Sequence, residues 1–185
     1  MIINIRGTSG SGKSTLARNI MALYDTKVAY RREGRKQPIG YTYGTNGGQL
    51  LSVVGHYETP CGGCDTIQKM DDIFQLVRDA DALGHDVLFE GLLISADMKR
   101  TLALHTEGLD LRVVALDVDI ETCLASVNQR RWAKNPDKPG VNPKNTVSKH
   151  KGVQSSMKKL KEAGVPASFC SRDEAFLLIR ELLHV

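Results

Sequence analysis

Apolar residues in this chain fall into short blocks separated by longer stretches of mixed polarity. I-I-N-I-R at residues 2–6, D-V-L-F-E at 86–90 and D-L-R-V-V-A-L-D at 110–117 are compact runs rich in Ile, Val and Leu. Such runs, bounded by Gly, Asp or Pro, predict strands covered on both faces. Residues 27–32 and 165–169 predict two more. Between them, 16–24, 67–83, 95–106, 120–133, 147–163 and 173–183 carry apolar residues at helical spacing. The clearest is 67–83, with Ile67, Met70, Ile73, Phe74, Val77, Ala80 and Leu83 on one face and Asp65 or Thr66 as its N-cap. Residues 38–44 and 49–55 are β-like and joined by T-N-G-G, a strong turn signal, so they predict a hairpin at one edge of the core. Alternating strands and helices of this length predict an α/β fold, a parallel sheet with helices on both faces and a β-hairpin insertion.

G7-T-S-G-S-G-K-S14 sits between the first strand and the first helix and matches G-x-x-x-x-G-K-[ST] in full. Its glycines allow a tight turn whose N–H groups surround a polyphosphate, and the helix N-terminus behind it adds a favourable dipole. This assigns Gly7, Thr8, Ser9, Gly10, Ser11, Gly12, Lys13, Ser14 and Thr15 to nucleotide binding. Lys13 meets the β- and γ-phosphates, and Ser14 offers a hydroxyl to Mg²⁺. The fold class becomes the three-layer P-loop NTPase/kinase fold, with ATP and Mg²⁺ as cofactors. The loop says what is held, not what is done with it, and a kinase, a hydrolase or a switch could each use it.

Other residues narrow this. Glu90 ends a strand at the edge where ligands bind open α/β sheets, and could hold Mg²⁺ through water or accept from Ser14. Asp117 and Asp119 also end a strand, and either could simply cap the helix that follows. Arg130 and Arg131 precede a polar, proline-punctuated stretch, N135-P-D-K-P-G-V-N-P-K-N-T146. Arginines on a closing segment stabilise the charge that builds on a transferred phosphoryl group; the plainer alternative is that they suit the helix dipole. Lys134, Lys138, Lys144, Lys149, Lys151, Lys158, Lys159 and Lys161 extend the basic character, either as a solvated face or as contacts to a nucleic-acid backbone.

Length and charge add bounds. With 185 residues the chain suits one domain, 1–185, with an acceptor-side insertion at about 36–65 and a lid-like loop at about 130–147. Four cysteines make no disulfide scaffold. Neither a signal peptide nor a long apolar span is visible. A cytoplasmic protein without membrane partners is expected. The net charge of +4 suits an anionic partner without naming one.

The phosphate loop, the late arginine pair and the final helix resemble the small P-loop kinases of the nucleoside, gluconate and shikimate kind, over most of the chain. Tyr57-Glu58, C61-G-G-C-D-T66 and Glu90-Gly91-Leu92 carry a narrower resemblance, to the bacteriophage DNA-base kinases of thymine hypermodification. That resemblance implies ATP-dependent phosphorylation of 5-hydroxymethyluracil in DNA, giving 5-phosphomethyl-deoxyuridine, with other DNA-modification enzymes acting afterwards. It makes Asp65 the group that orients or deprotonates the acceptor hydroxyl, kept ionised by a helix N-terminus. It makes Tyr41, Tyr43 and Tyr57 candidates to stack on or border the pyrimidine, and Glu58 a reader of the base edge unless it pairs with Arg31 or Arg32. A small-molecule kinase using the same chemistry, or a P-loop switch or hydrolase, remain the alternatives.

Cys61 and Cys64 have the spacing of half a zinc knuckle, with His56 as a third ligand, but no fourth partner is evident. A redox pair is a further alternative. The preferred reading is a tight glycine turn that brings backbone close to a substrate, with the cysteines as packed side chains framing Asp65.

Overall fold

The computed structural model describes residues 1–60 and 62–185. Its elements are β1 (Ile2–Arg6), α1 (Lys13–Met21), β2 (Thr26–Tyr30), β3 (Gly40–Gly44), β4 (Leu50–Val54), α2 (Met70–Ala82), β5 (Asp86–Glu90), α3 (Lys99–Thr106), β6 (Leu111–Leu116), α4 (Ile120–Lys134), α5 (Pro143–Glu162), β7 (Ala167–Cys170) and α6 (Arg172–Leu182). Short 3₁₀ turns occupy Cys64–Thr66 and Ile94–Ala96. β1 and β5 fall where their apolar runs predict.

The strands form one seven-stranded sheet in the order β2-β3-β4-β5-β1-β6-β7. β4, β5, β1, β6 and β7 are parallel, while β3 runs against both β2 and β4. The sheet is therefore mixed, a parallel core extended at one side by the antiparallel strands of the predicted hairpin region. The predicted hairpin is not an appendage. β4 pairs with β5 from Leu51↔Asp86 to Val54↔Phe89, because Leu51, Val53 and Val54 are buried and need neighbours on both sides. The free edge falls to β2, whose Thr26 and Lys27 are exposed and suit an unpaired border.

Alternation along the strands splits the core in two. Ile2, Val87, Phe89 and Val113 face α2, α3 and α5, packing on Phe74, Leu104 and Met157. Ile3, Ile5, Leu88 and Val114 face α1 and α6, packing on Ile20 and Ile179. Arg6 closes β1 on the first face and is fully buried. Its guanidinium donates to Asn4 Oδ1 at 2.7 Å, Thr101 Oγ1 at 2.6 Å, Ser156 Oγ at 3.1 Å and the Asp97 carbonyl at 2.8 Å. Burial lowers its pKa to about 10, so it stays charged at neutral pH. It ties the strand end to α3 and α5.

Helix ends follow local chemistry. Asp119 caps α4 by accepting from the Thr122 N–H at 2.7 Å. α5 begins earlier than its apolar spacing predicts, because Asn142 caps it and Pro143 fits its first turn. Ser171 and Glu174 form a reciprocal capping box at α6. Among the described residues, no helix is long and apolar enough to cross a membrane.

Candidate active site

The phosphate loop joins β1 to α1 at the C-terminal edge of the parallel strands. Gly10 has φ +88°, and a Cβ there would stand 2.3 Å from the Cys123 carbonyl oxygen, so a side chain is excluded by both strain and space. Lys13 is buried, and its ammonium donates to the Gly7 and Thr8 carbonyls at 2.9 and 3.3 Å. Ser14 Oγ donates to Glu90 Oε1 at 2.7 Å, the contact anticipated for that pair. Burial pushes the Glu90 carboxyl up, opposed by Lys13 and by the Ser14 hydrogen bond. Burial pushes Lys13 down, opposed by Glu90 and then Asp65. Each supplies a charge that opposes the shift burial imposes on the other.

A cleft of ≈ 430 Å³ opens over this pair, bordered by Lys13, Ser14, Asp65, Glu90, Arg130 and Arg172 among others. Asp65 reaches it by a route different from the expected one. It lies in the 3₁₀ turn Cys64–Thr66, and Ile67 is extended before α2 begins at Met70. Asp65 and Thr66 therefore do not cap α2. Both Asp65 oxygens instead accept from the Leu92 N–H at 2.9 Å. A backbone donor one residue beyond Glu90-Gly91 thus fixes its direction.

Ser95 links the two sides. Its hydroxyl donates to the Gly91 carbonyl at 2.7 Å and accepts from the Gly7 N–H at 3.2 Å. The first residue of the phosphate loop and the turn that holds Asp65 share one buried side chain. Arg18 does similar work on α1. It donates to the Tyr57 and Thr59 carbonyls and lies 5.8 Å from the Tyr57 ring centroid. Arg172 donates to the Ser11 carbonyl at 2.8 Å from the first residue of α6. Sequence reasoning missed Ser95, Arg18 and Arg172, because nothing in their local spacing marks them. The nearest signal was an arginine following an N-cap serine at the end of the last strand, S171-R172.

Other expected residues are placed as follows. Tyr41 and Tyr43 lie in the core on the α1 side of the sheet. Tyr41 is 0 % exposed and its hydroxyl accepts from the Tyr57 N–H. The expected stacking of either ring on a base is not available in this structure: both rings are buried, packed on each other and on Tyr24 and Tyr57, with the Lys27 ammonium 4.4 Å from the Tyr41 ring centroid. Tyr57 is buried too, its face packed against Arg18 and Tyr41. Its hydroxyl lies beside Glu90, and burial followed by that carboxylate pushes the phenol well above its usual range. Glu58 is exposed, while Arg32 pairs with Asp72 and Arg31 donates to the Lys36 carbonyl, so neither serves Glu58. Arg130 borders the cleft; Arg131, half-buried on the next turn position, is outside its lining. The polar stretch after them is held to α4, with Trp132 Nε1 donating to the Lys138 carbonyl and the Val141 N–H to Asn128 Oδ1, at 2.9 and 2.8 Å.

Of the glycine-rich stretch, Gly62 and Gly63 are described, and Gly63 packs on Glu90. His56 and Gly63 exchange two backbone hydrogen bonds, at 3.1 and 2.8 Å. Gly63 has φ +89°, and a Cβ would lie 2.4 Å from Glu90 Oε1. The backbone thus comes close to the Glu90 carboxylate. Gly63→Ala is expected to cost about 2 kcal/mol through the left-handed backbone and to push Glu90 away from Ser14. Thermal melting and nucleotide affinity should fall together; an unchanged affinity would show that the contact is not needed. Cys64 is buried, with its thiol pushed well up by desolvation, and donates to the Val54 carbonyl. It is a packed neutral thiol. Cys61 lies outside the described residues. His56 is buried, and among the described residues no His, Cys, Asp and Glu side chains gather as a metal-binding cluster.

With this geometry described, comparison with known proteins decides the family. A family model for 5-hmdU DNA kinases matches residues 1–175. The chain belongs to the 5-hmdU DNA kinase family. A 5-hmdU DNA kinase of Pseudomonas phage PaMx11 is 57% identical over 183 residues, covering 99% of this chain and 97% of that relative. A 5-hmdU DNA kinase of Delftia phage PhiW-14 is 30% identical over 187 residues, covering 93% and 68%. Among solved structures, a deoxyadenosine kinase from M. mycoides aligns over 100% of both chains with a TM-score of 0.51 at 14% identity. A protein of the PezAT toxin-antitoxin system of Streptococcus pneumoniae gives 0.53 at 18% identity, covering 94% of this chain and 69% of that one. Both likenesses concern the fold, the P-loop kinase α/β architecture with its central mixed sheet. As a 5-hmdU DNA kinase family member, the chain is an ATP-dependent phosphotransferase.

Proposed function

We propose that the residues around this cleft carry the family reaction, transfer of the ATP γ-phosphoryl group to the 5-hydroxymethyl group of 5-hydroxymethyluracil in DNA. One observation supports it above the others: Asp65, Lys13 and Glu90 border the same cleft, with the Asp65 carboxylate aimed by the Leu92 N–H. An acid on a phosphate loop's cleft is what an alcohol acceptor requires.

The chain works as a single kinase domain, 1–185. Residues from about 36 to 65 form its acceptor side and residues from about 130 to 147 its lid. The phosphate-loop N–H groups hold the β- and γ-phosphates, and Lys13 exchanges its loop carbonyls for phosphate oxygens. The hydroxyl of Ser14 and the carboxylate of Glu90, 2.7 Å apart, are the hard oxygen donors that Mg²⁺ takes. Mg²⁺ bound there supplies charge neutralisation between the phosphates. Arg130 stabilises negative charge on the moving group, and Arg172 braces the loop from the opposite side. Arg131 remains a cation near the C-terminus of α4. Asp65 accepts a hydrogen bond from the acceptor hydroxyl and takes its proton as the new O–P bond forms and the bond from the γ-phosphorus to the bridging oxygen breaks, releasing ADP. The target base leaves its stack to reach this cleft. The aromatic rings expected as its platform are buried, so the base edge meets the glycine turn and Leu92 instead.

The test uses γ-labelled ATP with DNA containing 5-hydroxymethyluracil, and in parallel the free nucleoside. Label in the DNA is the expected result. Label in the nucleoside alone would make the chain a small-molecule kinase, and ATP hydrolysis with neither labelled would make it a switch or hydrolase.

A further inference from the structure

Residues 31–36 read R-R-E-G-R-K, a basic segment in a chain whose other lysines and arginines are more dispersed or lie on α5. The segment follows β2 directly. β2 runs antiparallel to β3, and β3 antiparallel to β4, so β2 points the same way as β4 and β5. Its C-terminal end therefore opens at the edge of the sheet where Glu90 and the cleft lie. Three strand spacings separate β2 from β5, roughly 14 Å at the usual inter-strand distance.

The segment is joined to the acceptor side. Arg35 donates to the Thr66 carbonyl at 2.9 Å, and Thr66 follows Asp65 in the same 3₁₀ turn. Arg32 pairs with Asp72 at the start of α2. The Arg35 N–H closes a turn on the Arg32 carbonyl, and Arg31 donates to the Lys36 carbonyl. Two arginines thus brace the loop, while Arg31 and Lys36 stand exposed on it. Among the described residues these two make no ion pair, since the pairs present are those of Met1, Arg32, Arg78, Arg100, Arg112 and Lys158.

We propose that the Arg31–Lys36 loop binds the DNA phosphates flanking the target nucleotide and sets the strand across the acceptor side of the cleft. The proposal rests on the DNA-kinase reading above. Each strand of a duplex carries one phosphate per roughly 3.4 Å of axis, so a backbone engaged at the cleft has phosphates within reach of a loop roughly 14 Å away. The basic C-terminal end of α5 fits less well. Lys158, Lys159 and Lys161 lie at the end of α5 that leads into β7. β7 is parallel to β6, so its beginning is at the sheet edge opposite the cleft.

The test compares Arg31→Ala/Lys36→Ala with a Lys158→Ala/Lys159→Ala/Lys161→Ala control. Binding of 5-hydroxymethyluracil DNA is followed by fluorescence anisotropy over a salt series, alongside phosphorylation of the same DNA. The loop variant is expected to lose on the order of tenfold in DNA affinity and to reduce the salt-dependence slope by about two. Its KM for ATP and its kcat at saturating DNA should match wild type, and the α5 control should keep the wild-type slope. A loop variant with wild-type slope and affinity, or a slope lost only in the α5 control, overturns the proposal. If wild-type protein phosphorylated no DNA, the assigned function would fall, while the anisotropy series would still decide the loop.

Discussion

Asp65→Asn is expected to slow phosphoryl transfer to 5-hydroxymethyluracil DNA by roughly 10²–10⁴-fold, the usual worth of a positioned acid–base group. The reasoning is geometric. The Asp65 carboxylate borders the cleft, and its direction is set by the Leu92 N–H at 2.9 Å from both oxygens. The isosteric amide keeps one acceptor for that N–H. It presents an NH₂ group where the acceptor hydroxyl needs an oxygen, and it cannot take a proton. Asp65 is exposed, so the fold should tolerate the change. Single-turnover transfer measures the chemistry, and ATP binding in the same protein should stay near wild type. Transfer at the wild-type rate would remove Asp65 from the reaction.

Lys13→Met should lower kcat by about 10²–10³-fold, the loss found when one preorganised electrostatic partner is removed. It should also change how stability depends on pH. Lys13 is buried beside Glu90, and its charge is what opposes the upward, burial-driven shift of that carboxyl. Without it the folded-state pKa of Glu90 rises further above its unfolded value. A carboxyl with a raised folded pKa binds more protons folded than unfolded. Stability is then fully present below the unfolded value, about 4.3, and is lost as pH rises through the folded one. The variant should therefore melt closer to wild type in acid than at neutral pH. Glu90→Gln in the Lys13→Met background should flatten that dependence. A melting difference that does not vary with pH would show that the two groups are not coupled.

Reading the sequence worked best where structure is local. β1 and β5 were legible because an apolar run between polar bounds has little choice but to be a buried strand. The phosphate loop was legible because its glycines and Lys13-Ser14 are contiguous. β2, β3 and β4 were legible as strands but not as a meander continuous with the parallel core, since alternation does not say which strands become neighbours. Tyr41 and Tyr43 show the cost. Their spacing puts both rings on one face of β3, but only the tertiary structure reveals that Tyr24, Tyr57 and Lys27 pack against them there.

The acceptor side was legible as a motif and misread as geometry. Asp65 borders the cleft, yet its partner is the Leu92 N–H, 27 positions along the chain, not the start of α2. Gly62-Gly63 was read as a turn towards substrate, and Gly63 proves to be the close neighbour of Glu90. Arg172 bonds Ser11 across 161 positions, and Ser95 reaches Gly7 across 88. No pattern within one helix or strand could announce such contacts.

By itself the sequence determined an α/β protein with a phosphate loop carrying Lys13 and Ser14, because a glycine loop between a strand and a helix encodes itself in consecutive residues. The tertiary structure decided the other half. Asp65, Arg130, Arg172 and the Arg31–Lys36 loop come from separate elements, and their arrangement depends on strand order and direction. Those are set by long-range packing of the buried faces, which hydrophobic patterning demands without specifying the partner.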